Sequence, residues 1–231
     1  MVLEGAHASR LDYAGIARER AALREYLEAL SRVTEAEFRA FSKAQQIAFL
    51  VNAYNAFAVE KVLARYPDIR SIRDFGRLFG NPFRDRFFRL LGRPMSLDAI
   101  EHEMLRRPGA YDEPRVHYAL NCAAVGCPML REEAYVAERL EAQLEEQAVR
   151  FLSDRTRNRV SADGRLEVSR IFEWYGEDWK RGAQGADSLE RYFARYAHLL
   201  ADDPALQKRV AEGRAPISFL PYDWSLNDVR R

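Results

Sequence analysis

Apolar residues recur along the first quarter of the chain at intervals of three and four, the spacing of a helix with one buried side. Ile16, Ala21, Leu23, Tyr26, Leu27 and Leu30 lay such a stripe along Tyr13 to Val33. Thr34 with Glu37, and then Ser42 with Gln45, have the spacing of a capping box, in which a hydroxyl accepts from a backbone amide and the acid or amide side chain reaches back. The second box opens the strongest predicted helix, about Lys43 to Arg65, which Pro67 stops. Ile47, Leu50, Val51, Tyr54, Ala58 and Val62 share one face of it. Asn52 and Asn55 sit at the edge of that face. Asparagine is a poor helix former, so both amides need partners in the fold, either by pinning a neighbouring loop or by serving a site.

From Ile69 to Leu91 the pattern breaks into Arg and Phe with scattered Gly and Pro, which reads as an irregular connection with its aromatics packed down. Ser96 caps a helix to about Arg107, with Glu101 in its apolar stripe and His102 at the border. Val116 to Leu120 suits a short buried strand running into Asn121-Cys122 and a Gly126-Cys127-Pro128 corner. Arg131 to Leu152 reads as an amphipathic helix with Val136, Leu140, Leu144, Ala148 and Phe151 inside. Asn158 to Val168 is a hairpin around Asp163-Gly164. Ser169 opens a short aromatic helix, Asp187 caps a helix to about Leu200, and Pro204 starts another to about Glu212. Ile217 onward looks like a strand ending in an exposed tail. The sum predicts a helix-rich α+β single domain over residues 1–231 with a small antiparallel sheet, residues 1–12 a flexible arm and 224–231 an exposed tail.

Composition narrows the classes. At 231 residues, 48% hydrophobic and 31% charged, the chain can bury a sizeable core. Lys+Arg 36 against Asp+Glu 35 argues against a nucleic-acid partner. The longest apolar stretch, Ile47 to Val59, is interrupted by Asn52 and Asn55 and is too short for a membrane span. The first residues lack the basic-then-apolar pattern of a secretory signal, so the chain reads as cytoplasmic, or as periplasmic or secreted if a leader has been removed. No P-loop, GxGxxG, GxSxG or HExxH occurs, and no cofactor is expected.

Both cysteines and one of the four histidines fall between His117 and Cys127. A thiol acts as a nucleophile only as thiolate, which an imidazole or a helix amino terminus promotes. On a strand, the five-residue offset from His117 to Cys122 turns the two side chains to opposite faces. His102, arriving on the preceding helix beside Glu101, has no such restriction. The pattern therefore offers a cysteine enzyme of acyl-transfer or amide-hydrolysis type, acting on a small molecule or peptide. In it Cys122 is the nucleophile, His102 the general base, Glu101 or an Asn amide its orienter, and Asn52 or Asn55 an oxyanion or loop-holding group. The helix-rich composition would then adopt a papain-like layout. Alternatives are a Cys122–Cys127 bridge or redox pair, a metal site from His117, Cys122 and Cys127 with His102, and a binding or scaffold domain whose cysteines do no chemistry. Glu173, Glu177 and Asp178 read as a solvated face, and Trp174, Tyr175 and Trp179 as core.

Five stretches carry a resemblance: Ala48 to Ala56, Ser96 to His102, Pro114 to Pro128, Ile171 to Asp178, and Tyr222 to Asn227. In this order they resemble the domain of unknown function 547 family of bacteria, plants and animals, over nearly all of the chain. The resemblance implies no settled activity. Bacterial members resemble exported proteins, and some eukaryotic members carry a glutaredoxin-like module, which implies thiol chemistry. The family features map onto Asn52, Asn55, Glu101, His102 and Cys122. Plant members depart around the second cysteine and the strand histidine, which places Cys127 and His117 second.

Overall fold

The structure is a computed structural model describing residues 1–76 and 80–229. It opens on a hairpin of β1 (Val2–Glu4) and β2 (Ala8–Arg10). The first predicted helix is two, α1 (Tyr13–Arg18) and α2 (Arg20–Arg32), interrupted at Glu19, whose φ of -112 and ψ of 41 leave the helical region. α3 (Glu35–Ala40) and α4 (Lys43–Leu63) both begin on the predicted capping boxes, each with its two reciprocal bonds formed. α4 is the central helix. Leu50, Val51, Ala53 and Val62 on it are sealed from solvent, and each of the larger aliphatics contributes roughly 1.5–3 kcal/mol by burial. Its buried set also includes Ala56, Phe57 and Lys61, so it is enclosed on more than the one face its stripe predicted. Lys61 meets Asp85 at 2.9 Å.

Within the expected connection, Ile69 to Leu91, fall 3₁₀ turns at Ile72–Gly76 and Pro82–Arg84 and the strand β3 (Phe88–Leu90), which forms a hairpin with β4 (Arg93–Met95). The Ser96 hydroxyl accepts from the Ala99 amide at 3.1 Å, as a cap should, but the helix it starts is a wide π-helix, Ala99–Leu105. Its last turn closes from the Arg106 N–H to the Glu101 carbonyl at 2.9 Å. The expected strand at Val116 to Leu120 is instead one helical turn, α5 (Val116–Ala119). Pro114 begins the turn, accepting from the His117 amide at 3.1 Å. Packing decides against the strand: Val116 and Ala119 enter one hydrophobic cluster, Tyr118 enters another, and His117 faces a cleft. A strand has two faces and cannot serve three destinations.

α6 (Leu140–Leu152), led in by a 3₁₀ turn at Ala137–Arg139, is shorter than predicted. Asn52 holds the preceding segment out of it by bonding both backbone groups of Tyr135, at 3.0 and 2.9 Å, and Val136 lies 41% exposed. The Asp163-Gly164 hairpin forms as β5 (Arg159–Val160) and β6 (Leu166–Val168), but β7 (Ile217–Phe219) joins β6 in parallel, so this sheet is mixed. Between them run α7 (Ile171–Trp174), α8 (Gly176–Trp179), α9 (Leu189–Arg195), α10 (Ala197–Leu200) and α11 (Pro204–Ala211), with Ser188 rather than Asp187 capping α9.

The terminal segments differ from the expected arm and tail. Leu11 is buried and pairs with the far end of the chain, its N–H on the Asn227 carbonyl at 2.9 Å and its carbonyl accepting from Val229 at 3.0 Å. Leu226, Asn227 and Asp228 are each about 1% exposed. Residues 230–231 of the expected tail lie outside the described residues. The fold is thus α+β and helix-rich, with two hydrophobic clusters joined through α5. Among the described residues no helix is long and apolar enough to cross a membrane.

Candidate functional site

A cleft of about 740 Å³ opens where the two clusters meet. Its lining draws on α4 (Tyr54), the π-helix (Glu101, His102), α5 (His117), the cysteine loop (Cys122), α7 and its end (Trp174, Tyr175) and the last segment (Tyr222, Trp224). The sequence-distant parts converge because α5 and the cysteine loop are clamped from both sides. Asn55 of α4 donates to the Ala119 carbonyl at 2.9 Å and accepts from the Asn121 amide at 2.8 Å. Asn121 in turn accepts from Asn227 at 3.2 Å, and Asn227 accepts from the Tyr13 hydroxyl at 2.8 Å.

The floor of the cleft is a chain of buried polar groups. His117 Nε2 meets Asp178 Oδ2 at 2.8 Å, and its Nδ1 lies 3.9 Å from Glu101 Oε1. The imidazole stacks on Tyr175, with ring centres 4.3 Å apart. The Glu101 carboxylate acts electrostatically on the Tyr54 and Tyr175 phenols. Burial, reinforced by that negative charge, pushes both phenols above their usual range, so they stay protonated donors. Asp178 is also bonded by Arg106, and Arg181 lies 3.1 Å away. Burial alone would raise its carboxyl, but the hydrogen bonds from His117 and Arg106 outweigh it and lower it to about 2. Arg106 reaches His102 Nδ1 as well. His102 Nε2 lies 3.6 Å from Asp98. One network therefore joins both histidines through Arg106 and Asp178. The π-helix makes part of this possible by setting Glu101 inward while His102 and Arg106 meet on the next face.

Another part of the lining is aromatic. Trp174 is 41% exposed and packs near-parallel to Trp224 at 5.7 Å, with Tyr222 within 5 Å of both rings at 4.9 and 4.7 Å. The last segment is laid against the cysteine loop by backbone bonds, Val125 to Ser225 and Gly126 to Asp223, both 2.8 Å. The approach needs glycine: a Cβ at Gly126 would meet the Asp223 carbonyl and the Tyr222 ring at 3.0 Å.

At this wall the two sulfurs are bonded to each other, Cys122–Cys127, with Sγ–Sγ 2.09 Å. Cys122 lines the cleft, while Cys127 is buried behind it. The hydroxyl facing both sulfurs belongs to Tyr222, at 3.2 Å from Cys122 and 3.3 Å from Cys127. The bridged form offers no thiolate at Cys122, and among the described residues no hydrogen bond joins His102 to that sulfur. Nor is the expected His117–Cys122–Cys127 ligand set assembled, since both sulfurs are committed to the bridge and His117 to carboxylates.

Of the residues expected from sequence, Glu101, His102, His117 and Cys122 meet at this cleft; Asn52, Asn55 and Cys127 do not line it. Both asparagines spend their amides on loop backbone, the pinning role. His117, ranked below His102, holds the more buried position, with its side chain 3% exposed against 36%. Asp178 is no solvated acid but sealed, because α8 turns it toward Arg106 and His117. Trp179 is core as expected, yet Trp174 and Tyr175 are cleft wall. Tyr54, Tyr222 and Trp224 were not singled out as site residues. The available signal was their place inside two of the five stretches that carry the family resemblance.

No curated protein and no solved structure matches the chain, so the papain-like layout has no structural relative behind it. The family match is narrower than the five stretches, covering α4, the π-helix, α5, the cysteine loop and α6 but ending before Asp178 and the aromatic wall. Residues 38–152 match the model described as protein of unknown function, DUF547, and the chain belongs to that family.

Proposed function

We propose that this domain binds a small molecule in the cleft, gripping an apolar or planar part against Trp174 and Trp224 and a polar group at Glu101. The observation that carries the reading is convergence: a buried polar network and a cluster of aromatic rings line one space of about 740 Å³, within the range that small-molecule sites occupy. Glu101 is the group placed to act on the ligand. It is the cleft-facing end of the Asp178–His117 pair. Its carboxyl oxygens offer a polar ligand group a hydrogen-bond partner.

The acyl-transfer reading with Cys122 as nucleophile, His102 as base and Asn52 or Asn55 at an oxyanion draws support only from the cleft positions of Cys122 and His102. It needs the bridge opened and an imidazole where Tyr222 now lies. A thiol redox pair is favoured by one observation, the bridge's place in the cleft wall.

The test is a titration of tryptophan fluorescence against a diverse small-molecule set. Saturable quenching is expected, at least ten-fold weaker in Trp174→Ala and Glu101→Gln and unchanged in Asn52→Ala. Equal binding by all four proteins, or no binder at all, would remove the proposal.

A further inference from the structure

We propose that the Cys122–Cys127 bridge is a thiol–disulfide exchange centre for a small thiol entering by the cleft, with Cys122 as the sulfur attacked and Cys127 as the leaving group. It rests on the ligand reading above only for access to the cleft.

The two sulfurs are not equivalent. Cys122 is half-buried and lines the cleft, whereas Cys127 is 2% exposed and lies behind it. A fixed donor singles out Cys127: the Cys122 backbone N–H is 3.0 Å from Cys127 Sγ. The Tyr222 hydroxyl lies 3.2 Å from Cys122 and 3.3 Å from Cys127, so it favours neither sulfur in the bridge but can turn to Cys127 once that sulfur carries charge. Two hydrogen bonds to a departing sulfur stabilise its thiolate, and a better-stabilised thiolate leaves faster. Burial pushes the Tyr222 phenol up, so it remains a donor throughout the range in which thiols ionise.

The chemistry balances without any further reagent. The thiolate R–S⁻ attacks Cys122 Sγ, the Sγ–Sγ bond breaks, and its electron pair departs on Cys127. The product is a mixed disulfide, R–S–Sγ of Cys122, beside a Cys127 thiolate held by the Cys122 amide and Tyr222. A second R–S⁻ attacks the thiol-derived sulfur of that mixed disulfide, releasing R–S–S–R and a Cys122 thiolate. In sum the small thiol is oxidised and the protein disulfide reduced, and the reverse sequence re-forms the bridge.

The same sulfurs support the wall that grips ligand. The loop they close carries the Val125 and Gly126 amides that hold Ser225 and Asp223, and hence Tyr222 and Trp224, in place. Opening the bridge frees that loop and weakens the aromatic wall.

The experiment uses the full chain in its oxidised form, exposed briefly to 2-mercaptoethanol, quenched with acid, alkylated with N-ethylmaleimide and mapped by mass spectrometry. The mixed disulfide is expected on Cys122, with maleimide on Cys127, at least ten-fold over the reverse. Tyr222→Phe, checked for an unchanged unfolding midpoint, should slow the reduction roughly five-fold, the effect of one lost hydrogen bond. Adducts shared equally or found on Cys127 would overturn the assignment. So would a bridge that opens only as fast as the protein unfolds, or sulfurs that never bond in the folded chain. Fluorescence titration on the same samples separates this failure from loss of the ligand site: tryptophan quenching that persists while Cys122 stays unmodified refutes exchange alone.

Discussion

Arg115 and His117 stand two residues apart on one turn, both nearly sealed, and both paired with carboxylates, yet they belong to different kinds of place. Arg115, its side chain 4% exposed, is ringed by Glu113, Glu141 and Glu145 at 2.6, 2.8 and 3.1 Å. Those acids face solvent on their far side, and the guanidinium lines no cleft wall of the main site. His117 is held as firmly by Asp178, but its other nitrogen looks toward Glu101 and the cleft. Buried charge alone therefore does not mark a site. What distinguishes the second cluster is that one end of it is open to a space a ligand can enter.

The comparison makes separable predictions. The largest effect belongs to the closed cluster. Arg115→Ala should cost about 3 kcal/mol in urea unfolding, at the low end for breaking a buried pair because Glu141 and Glu145 can rehydrate, with ligand affinity unchanged. If affinity falls as steeply as stability, the division between the two places fails. Asn55→Ala comes next, at about 2 kcal/mol, since it leaves the Ala119 carbonyl and Asn121 amide without their buried partner. Asn52→Ala, on a half-buried amide, should cost nearer 1 kcal/mol.

The open cluster is tested by pH. Asp178 has a folded value of about 2, below the roughly 4 of an unfolded aspartate, so the unfolded chain binds the proton first. Its contribution, up to about 2 kcal/mol, is fully present above pH ~4 and is lost as pH falls toward ~2. Unfolding curves of the natural chain and Asp178→Asn should therefore differ near pH 5 and converge near pH 2. A gap that persists at pH 2 would mean the carboxylate's charge is not what matters. The smallest stability effect is expected from Trp174→Ala, within about 0.5 kcal/mol because the ring is exposed, although it should lose ligand at least ten-fold.

Much of this was legible in the chain. The two capping boxes, the Pro67 stop and the Asp163-Gly164 hairpin are local devices whose partners lie within four residues, so spacing alone specifies them. Glu101, His102, His117 and Cys122 were recognisable as chemistry-bearing types. Their ranking was not, because it rested on a strand at Val116–Leu120 that packing turned into a helix, and with it the five-residue parity argument lost its footing. Asp178 was misread for a related reason. An acid in a run of Glu and Asp looks solvated until an arginine seventy-two residues earlier is brought beside it.

The sequence by itself determined where helices begin, where the chain turns, and which side chains are capable of acid–base or sulfur chemistry, since these depend on backbone sterics and near neighbours. Only the tertiary structure decided that the two sulfurs bond, that both histidines share one network, and that Tyr222 and Trp224 line the same cleft as Glu101. Those are meetings between residues as much as 170 positions apart, as are Tyr54 and Trp224, which line the one cleft. They follow from how two hydrophobic clusters pack around one short helix, a long-range balance of burial that no local spacing records.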